Sequence, residues 1–289
     1  MKYIYLIILI TSLSLSFSSC TERIDVELSE TYTRLIVEGN LSSDTTAHLF
    51  KLSKSADYFA NEPAPIVSGA QIRLTDNLGN QILLQEKAGG LYQTPSDYYG
   101  ESNKTYELQI NLAQDISGET QYIAETALPT VTPIDSIGLQ FNKNFGKDGF
   151  WIIQLYAQDP ADEVNFYMFN VYKNGALLSD TLDKVSFTDD RMFNGNYTNG
   201  IGIMYLRNNK TNEFNIGDTL LLQMSGITES FFTYTEEINR ATSFQNPMFG
   251  GPPANVKGNL DNGAFGFFSA YSNTYSRMII TEDNVEYVE

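Results

Sequence analysis

Tyr106, Leu108, Ile110 and Leu112 alternate with polar residues, the cleanest period-two run in this chain. A strand that is apolar on one face only must lay that face against a second layer. Shorter runs of the same kind flank it. Arg34-Leu35-Ile36-Val37-Glu38-Gly39 is β-branched and ends in glycine, and His48, Phe50 and Leu52 share a face. Ile72 and Leu74 precede the turn cluster Asp76-Asn77-Leu78-Gly79-Asn80, after which Ile82 and Leu84 resume; Tyr122-Ile123-Ala124 adds a further strand. Short strands at this spacing, with no helical stretch among them, read as an N-terminal β-sandwich of immunoglobulin-like or transthyretin-like type over residues 31–130.

Pro129 and Pro133 then interrupt the pattern, since proline cannot continue a central strand, and a second β-rich domain is expected over 131–289. Residues 150–157 are apolar on both faces and read as a central strand. Residues 166–172 follow in kind, with an Asn174-Gly175 hairpin. Residues 219–224 read as another strand. After Gly226 the period changes: Phe231, Tyr234, Ile238 and Ala241 recur at helical spacing behind Thr228 as N-cap, so one α-helix is expected near 228–242. Residues 266–271 and 276–281 read as two closing strands. The fold class is therefore mainly β, two β units with one helix in the second.

The first twenty residues carry a different signal. Lys2 precedes an unbroken apolar run from Tyr3 to Ile10, and Phe17-Ser18-Ser19 leads to Cys20. This reads as a lipoprotein signal peptide over 1–19, too short to span a bilayer, where about 20 apolar residues are needed. Cleavage leaves Cys20 as the acylated first residue, anchored to a membrane by lipid, with residues 20–30 as a tether. Cys20 is the only cysteine and His48 the only histidine, which excludes disulfides, thiolate clusters and multi-histidine metal sites. The formal net charge is −17, and removal of Lys2 with the signal takes it to −18. Such an acid excess argues against nucleic acid as a partner and against charge-driven adhesion to anionic lipid.

Taken in order, the segments Arg34-Leu35-Ile36-Val37-Glu38-Gly39, Ser68-Gly69-Ala70-Gln71-Ile72, Gly90-Leu91-Tyr92, Ile134-Asp135-Ser136, Asn255-Val256-Lys257-Gly258-Asn259-Leu260 and Gly266-Phe267-Phe268 resemble the DUF4249 family of Bacteroidota lipoproteins. The resemblance runs from Cys20 nearly to the C-terminus. It implies an outer-membrane lipoprotein, periplasmic or surface-facing, encoded beside a TonB-dependent receptor and serving nutrient capture. The family supplies no catalytic residues.

Two carboxylate pairs, Glu236-Glu237 and Asp189-Asp190, stand out. Neighbouring residues diverge on a helix or strand, so neither forms a glycosidase dyad by itself. The acidic loops at 159–163 and 189–190 offer oxygens but lack the spaced pattern of a calcium loop, so no metal or cofactor is expected. His48 reads as a packed residue and not as a base. The aromatics say more. Phe and Tyr number 18 each, and Phe193, Tyr197, Tyr205, Phe244 and Phe249 fall where burial is not required. With Arg191, the loops 191–200 and 246–253 form the expected contact surface for a glycan or peptide, since irregular loops on a rigid sheet carry function. Four Asp-Ser/Thr sites, at Thr45, Ser136, Thr181 and Thr219, match an O-glycosylation pattern. The expected function is a non-enzymatic binding or accessory component of TonB-dependent uptake. An adhesive surface module, or a glycan or peptide hydrolase, are the alternatives.

Overall fold

The computed structural model describes residues 32–56, 62–243 and 255–288. Cys20, Phe244 and Phe249 lie outside these, as do the signal and the tether. The body from Thr33 onward is one compact unit. It is mainly β, and its sandwich layout matches the alternation in the sequence.

The strands fall into three groups. One four-stranded sheet has the order β4-β3-β7-β8, with β3 at Gln71–Asp76, β4 at Gln81–Leu83, β7 at Lys104–Ile116 and β8 at Glu119–Leu128. A second has the order β14-β10-β9-β17, with β9 at Ser136–Asn142, β10 at Phe150–Tyr156, β14 at Ile201–Arg207 and β17 at Val285–Val288. Both pack against a long composite sheet. Its path is β12-β11-β15-β16-β1-β2-β6-β5, with β13 pairing on β11. Here β1 is Leu35–Ser42, β2 Leu49–Lys54, β5 Gln85–Ala88, β6 Leu91–Gln93, β11 Phe166–Lys173, β12 Ala176–Leu177, β13 Ser186–Asp189, β15 Thr219–Ile227 and β16 Phe265–Ile279.

Two cores result. The first joins Leu35, Val37, Phe50, Leu52, Ile72, Leu74, Tyr106, Leu108 and Ile110. The second joins Leu139, Trp151, Ile153, Leu155, Phe169, Val171, Leu220 and Leu222. The proline-bounded segment at 128–133 separates most of their residues in sequence. Ala264, Phe268 and Ala270 depart from that division, because they come from the far end of the chain yet lie in the first core.

Strand β16 explains this. Its first half pairs in parallel with β1, Ile36 opposite Phe265 through Ser42 opposite Tyr271. Its second half pairs antiparallel with β15, from Gly226 opposite Ser272 to Thr219 opposite Ile279. The two closing strands expected from the sequence are thus one strand of 15 residues, about 50 Å long at 3.3 Å per residue. The polar run Ser272-Asn273-Thr274-Tyr275 is where it passes from one partner to the other. The motif at 255–260 supports the same strand. Asn259 accepts from the Phe268 amide at 2.9 Å and donates from Nδ2 to the carbonyls of Phe268 and Glu125, at 2.8 and 3.1 Å, so one side chain clips β16 to β8.

The helix forms where helical spacing begins. α1 runs Glu229–Thr242, and the Thr228 hydroxyl accepts from the Phe231 amide at 3.2 Å, satisfying one of the free first-turn donors. Its apolar side lies on the composite sheet, with Phe231 and Tyr234 against Phe267 and Phe232 against Phe166.

Strand β14 carries no alternation that sequence reading could find. A bulge between Ile153 and Gln154 lets Ile203 and Met204 both turn inward, which breaks the period.

At the junction of the two cores the 128–133 segment lies close to the paired strands. The Ser272 hydroxyl donates to the Pro129 carbonyl, and a Cβ at Gly226 would stand 2.3 Å from the Thr130 oxygen. Backbone cannot yield there as a flexible side chain would. Gly226→Ala is expected to lower unfolding free energy by about 1–3 kcal/mol, read by chemical denaturation. An unchanged midpoint would show that the segment moves freely over β15.

Candidate functional site

The outer face of the β14-β10-β9-β17 sheet, opposite the second core, gathers rings and amides. Along β10, Trp151, Ile153 and Leu155 point into the core, so Phe150, Ile152, Gln154 and Tyr156 point out. Register puts Gln154 opposite Gly138 on one side and Gly202 on the other, and Ile152 opposite Gln140 and Tyr205.

Glycines make room for the rings. A Cβ at Gly202 would meet the Tyr205 hydroxyl at 2.9 Å and Ile152 at 2.8 Å, so Tyr205 leans across β14. At Gly200 it would meet the Tyr156 ring, and at Gly138 the Gln154 amide. Phe145 extends the patch, with its ring 5.6 Å from Phe150 and 6.4 Å from Tyr205. Tyr205 and Phe145 are each 54% exposed and Tyr197 is 44% exposed, so the patch presents ring surface to solvent. Among the described residues, the amides of Gln140 and Gln154 have no protein partner. The face is open and rich in hydrogen-bonding capacity, and register adds one charge of each sign to it, Arg207 opposite Phe150 and Glu286 opposite Gln140.

Tyr197 is held at one end of this face by two loops that the sequence presents as unrelated. The Asp159 carboxylate accepts from the Tyr167 hydroxyl at 2.6 Å and from the Gly195 amide at 3.1 Å. Gln158 forms a bridge with Tyr197. Burial pushes the Asp159 carboxyl above its ordinary range, the two hydrogen bonds oppose the rise, and the charge of Asp190 adds to it. Asp190 is itself buried, with one oxygen accepting from the Asn165 amide at 2.8 Å. Tyr197 also meets Asp135, and burial followed by that carboxylate raises its phenol.

The sequence-derived residues separate on this structure. Tyr197 joins the face. Phe193 is a correction: it is 7% exposed, lies in the second core and stacks on Tyr167, with ring centroids 6.2 Å apart. The Asp159 clasp pulls its loop inward, so this ring cannot reach a ligand. Arg191 is exposed and bound to Asp189, its Nε donating to Oδ2 at 2.7 Å, which holds the Asp189 carboxyl below its usual range. Asp189 is therefore an ion-paired residue, while its neighbour Asp190 faces the interior. Glu237 is exposed on α1 and Glu236 stands 4.0 Å from Arg240, a solvated helix face. Among the glycosylation sites, Thr45, Ser136 and Thr181 are exposed, whereas Thr219 is half-buried in β15. The rings missed in the sequence were Phe145, Phe150 and Tyr156. Only sheet register shows that they share a face with Tyr205.

His48 is buried with its ring edge-on to Tyr98 at 6.3 Å, its Nδ1 accepting from the Ser42 amide at 3.3 Å. Nε2 is buried with no hydrogen-bond partner among the described residues, and burial lowers the imidazole's affinity for a proton.

Residues 21–277 match the family described as a domain of unknown function, DUF4249. The chain belongs to the DUF4249 family. No curated protein matches it. Within this DUF4249 chain, the family-like segments quoted from the sequence fall mainly in the first core and at the β16 clip. The aromatic face lies on the other core.

Two measurements follow from this geometry. Asp159→Ala removes the acceptor for both Tyr167 and Gly195, and is expected to destabilise by about 1–3 kcal/mol and to speed amide exchange across residues 195–198; unchanged exchange would show that the clasp does not hold the loop. His48 has a folded pKa below its unfolded value of about 6.5, so the stability it provides is present above that pH and lost as pH falls through the folded value. Denaturation at pH 7.5 and 5.5 should show a larger acid loss for the wild type than for His48→Gln. Equal losses would place the imidazole in solvent.

Proposed function

We propose that this DUF4249 protein is a lipid-anchored, non-enzymatic binding component of the outer membrane that works beside a TonB-dependent receptor. The single observation that carries the binding part is the exposed aromatic and amide face built by β10, β14 and the Tyr197 loop. Tyr205 and Tyr197 keep 54% and 44% of their surface exposed, area that a ligand can cover. The anchor rests on the sequence before Cys20, and the transporter on what family resemblance implies.

The carboxylates support a non-catalytic reading. Asp189 is tied to Arg191, Asp159 to Tyr167 and Gly195, and Asp76 to Asn80 and Lys104. Each serves as an acceptor that holds the fold. A display role has one observation in its favour: β16 runs through both cores as a continuous strand, which suits a stiff spacer.

Intact mass of the protein purified from native membranes tests the anchor, with a polypeptide beginning at Cys20 and carrying acyl chains expected. A free thiol at Cys20 would overturn it. The same spectrum reads glycans, which this proposal places at Thr45, Ser136 or Thr181 before Thr219. Affinity purification from detergent-solubilised membranes is expected to recover a TonB-dependent receptor in near-stoichiometric amount; repeated recovery of the protein alone would remove the uptake role.

A further inference from the structure

We infer that the outer face of the β14-β10-β9-β17 sheet binds a neutral glycan chain, with Tyr205, Tyr156 and Tyr197 as stacking rings and Gln154 and Gln140 as hydroxyl readers. The inference rests on the binding role proposed above and names its ligand class. Three features of the face favour this occupant.

The first is ring placement. Gly202 and Gly200 leave the space a Cβ would fill to the hydroxyl ends of Tyr205 and Tyr156, so both side chains reach over neighbouring backbone on this face, and Tyr205 keeps 54% of its surface exposed. Gly202 and Gly138 have ordinary negative φ, so their role there is space and not backbone freedom. A pyranose has a flat C–H face that matches a ring presented in this way, because the electron-rich face of the aromatic attracts polarised hydrogens.

The second is the chemistry between the rings. Gln154 lies between Gly138 and Gly202 in register, with Gln140 one strand away, and both amides are unpartnered among the described residues. A primary amide donates and accepts at once, which suits a hydroxyl that does the same. The face carries one charge of each sign, Arg207 opposite Phe150 and Glu286 opposite Gln140, and so offers no cluster of like charge to an ionic ligand. The chain is strongly acidic overall, −17 at neutral pH, so anionic sugars would be repelled at long range.

The third is shape. Phe150 and Tyr156 bound the seven residues of β10, so the face is about 20 Å long, enough for several sugar units laid along the strand. An extended peptide would instead seek a free strand edge for main-chain pairing. Here the rings and amides occupy the face.

The experiment uses the full chain in detergent, titrated calorimetrically with cellohexaose, xylohexaose, mannohexaose, maltohexaose and laminarihexaose, and with an unstructured neutral peptide mixture as the competing class. At least one hexasaccharide is expected to bind, and Tyr205→Ala and Gln154→Ala are each expected to weaken it about three- to tenfold without shifting the thermal midpoint. Tyr205 is more than half exposed, so its truncation leaves folding intact. Phe193→Ala serves as a contrast, since loss there would come with a lower midpoint. Three results overturn the inference: no hexasaccharide binds at millimolar concentration, binding persists undiminished in both variants, or the peptides bind in a Tyr205-dependent manner. Recovery of the receptor from membranes is read separately, so a failed glycan titration with the receptor still present removes the ligand class and leaves the uptake role standing.

Discussion

One strand holds this molecule together. β16 gives its first half to β1 and its second to β15, so each core borrows a strand from the same continuous segment. Main-chain hydrogen bonds along a strand are cooperative in geometry: fixing the twist of one half constrains the other. Two sandwiches that could have been separate beads are thereby coupled through backbone. The coupling is reinforced where side chains replace main-chain partners. Asn259 spans β8 and β16, Arg34 donates to the Gly263 carbonyl at 2.9 Å, and Ser272 holds the 128–133 segment.

Close backbone approach explains the glycines of this junction. At Gly266 φ is +92° and a Cβ would stand 2.0 Å from the Val37 oxygen, so both conformation and space require glycine. Gly258 faces the Gly266 carbonyl in the same way. Three of the six segments that resemble the family, at 34–39, 255–260 and 266–268, lie where β16 meets β1 and β8. These three report how the chain is tied, while the segment at 134–136 brings Asp135 against Tyr197 at the end of the aromatic face.

Polar residues inside the fold work as acceptors for backbone and tyrosine donors. Asp76 is the clearest case: burial would raise its carboxyl, but bonds from Asn80 and Lys104, with the Leu78 amide, hold it well below the usual range and close the β3–β4 turn. Asp159 does the same for the loop that carries Tyr197, with the opposite balance, since its burial outweighs its bonds. The candidate site is therefore a rigid sheet face with one loop pinned to its end.

Local pattern alone determined most strands of the first sandwich (the short β5 and β6 carry too few residues to show a period), the turn at Asp76, the central strand at 150–157 and the helix with its Thr228 cap, because periodicity and capping act within a few residues. Helix and strand type were legible for the same reason that Tyr106, Leu108 and Ile110 share a face: spacing fixes direction before any partner arrives. Tertiary structure alone decided that 265–279 is one strand and that Phe193 is core while Tyr197 is surface. It also decided that Tyr156, Tyr205 and Phe145 form one patch. These depend on register between strands far apart in sequence and on a bulge that cancels alternation in β14, and neither leaves a local signature.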